Sequence, residues 1–126
     1  MDHEAVEALR DRHPAWRLLR AQHASLVLSF LGSHFVDGNA GATSAARLVD
    51  ALDDHLDAVN AGVEEPPFPR SVQEYLDGWA ESGWLRRFYP VSSDEVHYDA
   101  TPALERACAW VEGLRARSFV GTESRL

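Results

Sequence analysis

The chain has 126 residues, 45% of them hydrophobic, enough for one core and too few for two ordinary domains. Twenty acidic residues against twelve basic ones give a formal net charge of -8, which disfavours phosphate backbones and anionic membranes as partners of the whole surface. The single cysteine, Cys108, excludes an internal disulfide and points to a reducing cytoplasm.

In chain order, residues 3 to 12 predict a short charged helix, with Glu4, Glu7 and Asp11 among Arg10 and Arg12, ended or restarted by Pro14. From Ala15 to Phe35, the apolar residues Trp16, Leu19, Leu26, Phe30 and Leu31 recur at helical intervals, giving one long helix or two abutting ones. The run Leu26 to Leu31 is too short and too quickly interrupted to cross a membrane. Asp37, Gly38, Asn39 and Gly41 form a turn, and Thr43 or Ser44 can cap the next helix, whose stripe is Leu48, Leu52, Leu56 and Val59. The segment Glu64-Glu65-Pro66-Pro67-Phe68-Pro69 is a rigid non-helical connector. It leads to Ser71, spaced from Glu74 as in a capping box. Val72, Tyr75, Leu76 and Trp79 then form one inward face, stopped at Ser82-Gly83.

Beyond Gly83 the period changes to that of strands. Trp84 to Tyr89 and Val96 to Tyr98 predict a β-hairpin over 85 to 98, with residues 90 to 95 as its tip. Thr101-Pro102 opens a last helix whose apolar positions are Leu104, Ala107, Cys108, Val111 and Leu114. The fold class is thus mostly α with a small β-hairpin, in the order of a winged helix-turn-helix. The expected division is an N-terminal helical segment (1–22), the winged-helix domain (23–117) and the start of a connection to a missing remainder (118–126).

A winged helix that reads bases needs cationic or amide side chains on the outer face of its third helix. Here that face is Gln73, Glu74, Asp77 and Glu81, and the wing carries Asp94 and Glu95. Arg70, Arg86 and Arg87 are the candidates for a weak phosphate contact. Asp53-Asp54-His55-Asp57 and Asp94 to Asp99 contain metal-ligating types without a specific metal spacing, and read as solvated acidic surface. No nucleophile elbow, phosphate-cradling glycine loop or dinucleotide fingerprint is present, so no enzyme, cofactor or metal is expected.

Four tryptophans and five phenylalanines exceed what a small winged helix buries. With Trp79, Trp110 and Phe30 assigned to the core, Trp16, Leu18, Leu19, Phe35 and Phe88 become candidates for a two-fold dimer interface.

Four stretches carry a resemblance: Arg12-His13-Pro14-Ala15-Trp16-Arg17-Leu18-Leu19-Arg20, Phe68-Pro69-Arg70-Ser71, Gly83-Trp84-Leu85-Arg86-Arg87-Phe88-Tyr89-Pro90 and Ser118 to Leu126. They resemble the start of the JetA (MksF) family, the MukF-like kleisin subunits of bacterial Wadjet systems. The resemblance implies a part in an SMC/condensin-like, loop-extruding complex that restricts plasmids. Its partners would be a second copy, an SMC-type ATPase and a MukE-like winged-helix subunit, with a Toprim-type nuclease in the system and DNA met only through the assembly. In that family the N-terminal winged helix pairs two kleisins. A free-standing winged-helix transcription regulator is the alternative from another class, and a small metal-dependent enzyme is a third.

Overall fold

The computed structural model describes residues 1–124, with side chains through residue 117. The element order is α1 (His3–Arg12), α2 (Pro14–Leu19), α3 (Ala24–Leu31) continued by a π-helical turn (Gly32–Asp37), β1 (Thr43–Ser44), α4 (Ala45–Asn60), α5 (Val72–Glu81), β2 (Leu85–Phe88), β3 (His97–Ala100) and α6 (Pro102–Ser124). The protein is mostly helical, with one small antiparallel sheet in the order β1-β3-β2. No helix among the described residues is long and apolar enough to cross a membrane.

The hairpin forms where the period change predicts it, pairing Leu85 with Ala100 and Phe88 with His97. The sheet also has a third strand that the sequence reading did not contain. Thr43 and Ser44 pair with Tyr98 and His97, and two residues are too few to show an alternation. Ser44 serves both elements, ending β1 and accepting the Arg47 N–H at 3.4 Å as the cap of α4.

The region 15–35 is not one helix. Its first part ends at Leu19, and α3 widens into a π turn in which the Gly38 N–H reaches the Ser33 carbonyl at 2.8 Å. This turn aims His34 at β1. The Thr43 hydroxyl donates to the Gly41 carbonyl at 3.0 Å, so the His34 Nε2–H donates to Thr43 Oγ1 at 2.9 Å. Burial, and then the charge of Arg47, holds the His34 imidazole below its ordinary value of 6.5. Because the unfolded chain takes up this proton more readily, the stabilisation from neutral His34 is complete above about pH 6.5 and is lost as the pH falls through the folded value. Thermal midpoints should therefore fall between pH 7.5 and 5.5 by more in the native chain than in His34→Gln. Equal slopes in the two proteins would remove His34 from the titration.

One core joins all the helices except α1. Leu26, Val27, Phe30, Leu31 and Phe35 meet Leu48, Leu52 and Leu56 of α4, Tyr75, Leu76 and Trp79 of α5, Tyr98 of β3 and Leu104 and Ala107 of α6. Ala15 and Leu18 bring α2 into the same core, so only α1 of the expected 1–22 segment stays outside it. The side chains of the expected connection at 118–126 lie outside the described residues.

α5 begins as the Ser71 to Glu74 spacing predicts: Ser71 Oγ accepts the Glu74 N–H at 3.2 Å and donates to Glu74 Oε1 at 3.1 Å. Its end is a Schellman turn, with the Trp84 N–H on the Trp79 carbonyl at 3.0 Å and the Gly83 N–H on the Ala80 carbonyl at 3.2 Å. Gly83 takes φ +85° there, a left-handed conformation that favours glycine. Trp84 Nε1 donates to the Pro14 carbonyl at 2.9 Å, and Thr101 Oγ1 donates to the Gly83 carbonyl at 2.8 Å. The starts of α2, β2 and α6 are thereby tied to the end of α5.

Candidate protein-binding groove

α6 begins with Pro102 after the capping Thr101, which accepts the Leu104 N–H at 3.3 Å. Its inward stripe is Leu104, Ala107, Cys108 and Val111. At 100° per residue, Trp110 falls about 110° round the helix from that stripe, above Arg106 and beside Ala107. Trp110 is accordingly 56% exposed, and the expectation that it fills the core is corrected. α2 turns Ala15 and Leu18 inward, which leaves Trp16, 38% exposed, and half-buried Leu19 facing α6.

Between these helices lies an apolar groove of about 580 Å³ lined by Leu9, His13, Ala15, Trp16, Leu19, Arg20, Arg106, Ala107 and Trp110. Two or more large aromatic or aliphatic groups exposed along one concave surface are the usual mark of a protein contact. Among the described residues, the arginines on its walls are Arg20 and Arg106. Arg20 is engaged, its Nε donating to the Arg10 carbonyl at 3.2 Å and its guanidinium 3.9 Å from Asp11. Arg106 is exposed and makes no ion pair among the described residues.

The five residues expected at a dimer interface therefore separate. Trp16 and Leu19 come together in the groove. Leu18 and Phe35 are corrected to core positions, 0% and 6% exposed, since both belong to the chain's own buried cluster. Phe88 is half-buried on the sheet, 6.3 Å from the His97 ring, with the Arg86 guanidinium 4.2 Å over its face. Leu9 and Trp110 were missed by the sequence reading. For Trp110 the signal is its angular distance from the inward stripe of α6, whereas α1 buries no residue and gives Leu9 no stripe to depart from.

The three candidate phosphate-binding arginines do not form a patch. Arg86 is bidentate on Asp99 across the hairpin, at 3.0 and 2.8 Å, and Arg87 holds Asp77 of α5 at 2.7 Å. Gln73 also donates to Asp77, at 2.8 Å, and these two contacts hold the Asp77 carboxyl below its ordinary value, Gln73 contributing most. Arg70 is exposed at the start of α5, where its main-chain N–H donates to the Tyr75 hydroxyl at 3.3 Å. A phosphate would thus have to displace existing partners from Arg86 and Arg87. Gln73, Glu74, Asp77 and Glu81 are all exposed along α5, as their spacing predicts.

On α4, Asp53, Asp54 and Asp57 bring carboxylate oxygens within 4.8 Å of one another, all three exposed. His55 turns the other way, toward Phe30 at 5.3 Å and the Ser29 hydroxyl at 3.5 Å. Cys108 sits half-buried against Gly32, and burial, then Asp37 and Glu105, push its thiol pKa up, which keeps it in the unreactive protonated form.

A relative in Mycolicibacterium smegmatis (strain ATCC 700084 / mc(2)155), described as an uncharacterized protein, is 60% identical over 128 residues. The match covers 100% of this chain and 27% of that protein, so the chain spans about a quarter of its relative's length. Residues 8–126, which include the groove and the whole core, match the family described as "Protein of unknown function (DUF3375)". By that match over nearly its full length, the chain belongs to the DUF3375 family.

Proposed function

We propose that this chain is a non-catalytic winged-helix domain that pairs two copies of a kleisin-type subunit within an SMC/condensin-like, loop-extruding complex for bacterial plasmid defence. The sheet order β1-β3-β2 supports the winged-helix part of this reading. Such a fold places a short strand between its first and second helices, against a hairpin that follows the third, and β1, α4, α5 and the β2/β3 hairpin fall in that order. The kleisin assignment rests on the sequence resemblance. The SMC-type ATPase, the MukE-like subunit and a cytoplasmic setting are proposed with it, as is DNA contact only through the assembly.

The observation that carries the protein-binding role is the contrast between two surfaces. The face of α5 that would enter a DNA groove exposes Glu74, Asp77 and Glu81, whereas the α2/α6 groove exposes Trp16 and Trp110. Carboxylates at a phosphate-lined groove oppose binding, and exposed tryptophans in a concavity favour a protein partner. Light scattering or sedimentation at tens of micromolar should give about twice the 14.0 kDa chain mass. A monomer at that concentration overturns the pairing.

The same contrast predicts no measurable binding of duplex DNA by the isolated chain at about 150 mM salt, since roughly six to ten phosphate contacts are what make such binding strong. Fluorescence anisotropy with a labelled duplex checks this. Sub-micromolar affinity with a steep salt dependence would favour a free-standing winged-helix regulator instead.

A further inference from the structure

α1 is the one helix that buries none of its residues. Ten residues are too few for a helix to persist in water on propensity alone, so such a helix gains most of its order from whatever covers it. It is well capped: Asp2 Oδ1 accepts the Ala5 N–H at 2.7 Å. Its outer apolar strip, Met1, Ala5, Ala8 and Leu9, borders an open hollow that joins the groove through Leu9 and His13. At 100° per residue, Glu4, Glu7 and Asp11 fall together along one edge of that strip.

The groove has the opposite character. Its floor is apolar, and Arg106 on its rim has no carboxylate partner among the described residues. α1 is thus an amphipathic helix with an acidic edge, at the lip of a groove that carries the Arg106 cation. It is about 15 Å long, and the small side chains of Ala5 and Ala8 allow close approach. Only the short His13 junction separates it from α2, so it borders its own groove without filling it.

We propose that the groove of each copy receives α1 of a second copy, with the Ala5/Leu9 strip on Trp16 and Trp110 and the Glu4/Glu7 edge toward Arg106. The exchange is reciprocal, which closes the pair with two identical contacts around a two-fold axis and leaves no open groove to propagate a chain. This inference rests on the pairing reading above and names the segment that forms the contact.

Ala5→Arg and Trp110→Asp test it, both at exposed positions where the fold is retained, as far-UV circular dichroism would verify. In sedimentation equilibrium each variant alone should associate at least tenfold more weakly than the native chain. A mixture of the two should pair again, because the intact α1 of the Trp110→Asp chain meets the intact groove of the Ala5→Arg chain. If Ala5→Arg pairs as well as the native chain, α1 is not the occupant, although the pairing itself stands. If both variants are monomeric and remain so when mixed, an intact α1 and an intact groove do not complement each other across the pair, and the exchange is overturned. A native chain that is itself monomeric removes both readings at once.

Discussion

Trp84→Ala should destabilise the chain by about 3–5 kcal/mol, the range for removing a buried aromatic side chain from a packed core. Trp84 is 7% exposed, and its indole N–H is bound to the Pro14 carbonyl at 2.9 Å. Truncation therefore opens a cavity and leaves that carbonyl without its donor, at the junction where α2, α5, β2 and α6 meet. Neighbouring groups cannot easily close the gap. Gly83 is fixed in its left-handed turn with Pro14 close by, and Thr101 is committed to the Gly83 carbonyl. Against a total of roughly 5–15 kcal/mol for a domain of ordinary stability, a loss of this size should lower the thermal midpoint by on the order of 10 °C or more. Trp84→Phe, which keeps most of the apolar surface and loses only the donor, should fall in between. A Trp84→Ala midpoint within about 2 °C of the native value would show that the junction is not a main tie of the fold.

Trp16→Ala should weaken self-association by at least about 1 kcal/mol, the threshold of a buried aromatic hot spot, while the fold is retained. The side chain is 38% exposed and stands in the groove with Trp110, so the part its own chain leaves open is available to a partner. Leu18, two residues on, gives the contrasting result. It is fully buried, so Leu18→Ala should cost about 2–5 kcal/mol of folding stability and leave the association of the folded chain nearly unchanged. Sedimentation equilibrium and thermal denaturation on both variants separate the two effects. A Trp16→Ala chain as dimeric as the native one would take Trp16 out of the interface.

Trp16 and Leu18 lie two positions apart on α2 and meet opposite surroundings, one in the groove and one in the core. Both were candidates for the second surface, since an apolar residue near the start of a helix carries no mark of which neighbour it will meet. The stripe of a helix gives relative angles only, and the absolute direction of α2 is set by the Trp84 to Pro14 bond, between residues seventy positions apart in the chain. Trp110 differs, because its angle on α6 is legible in the sequence. Its residue type argued for the core, while its angle on α6 placed it at the edge, and the angle decided.

Elements with strong local signals are legible in the residues alone: the Ser71 to Glu74 cap, the Gly83 stop, the hairpin from Leu85, the Thr101-Pro102 start and the exposed acidic edge of α5. Each depends on residues within a few positions of one another, where hydrogen-bond geometry and periodicity leave few alternatives. It takes the packed chain to bring β1 into the sheet, to engage Arg86 and Arg87 with Asp99 and Asp77, and to gather Leu9, Trp16 and Trp110 in one groove. Those features come from contacts between segments far apart in the chain, whose geometry follows from how the helices pack and is not encoded in any local pattern.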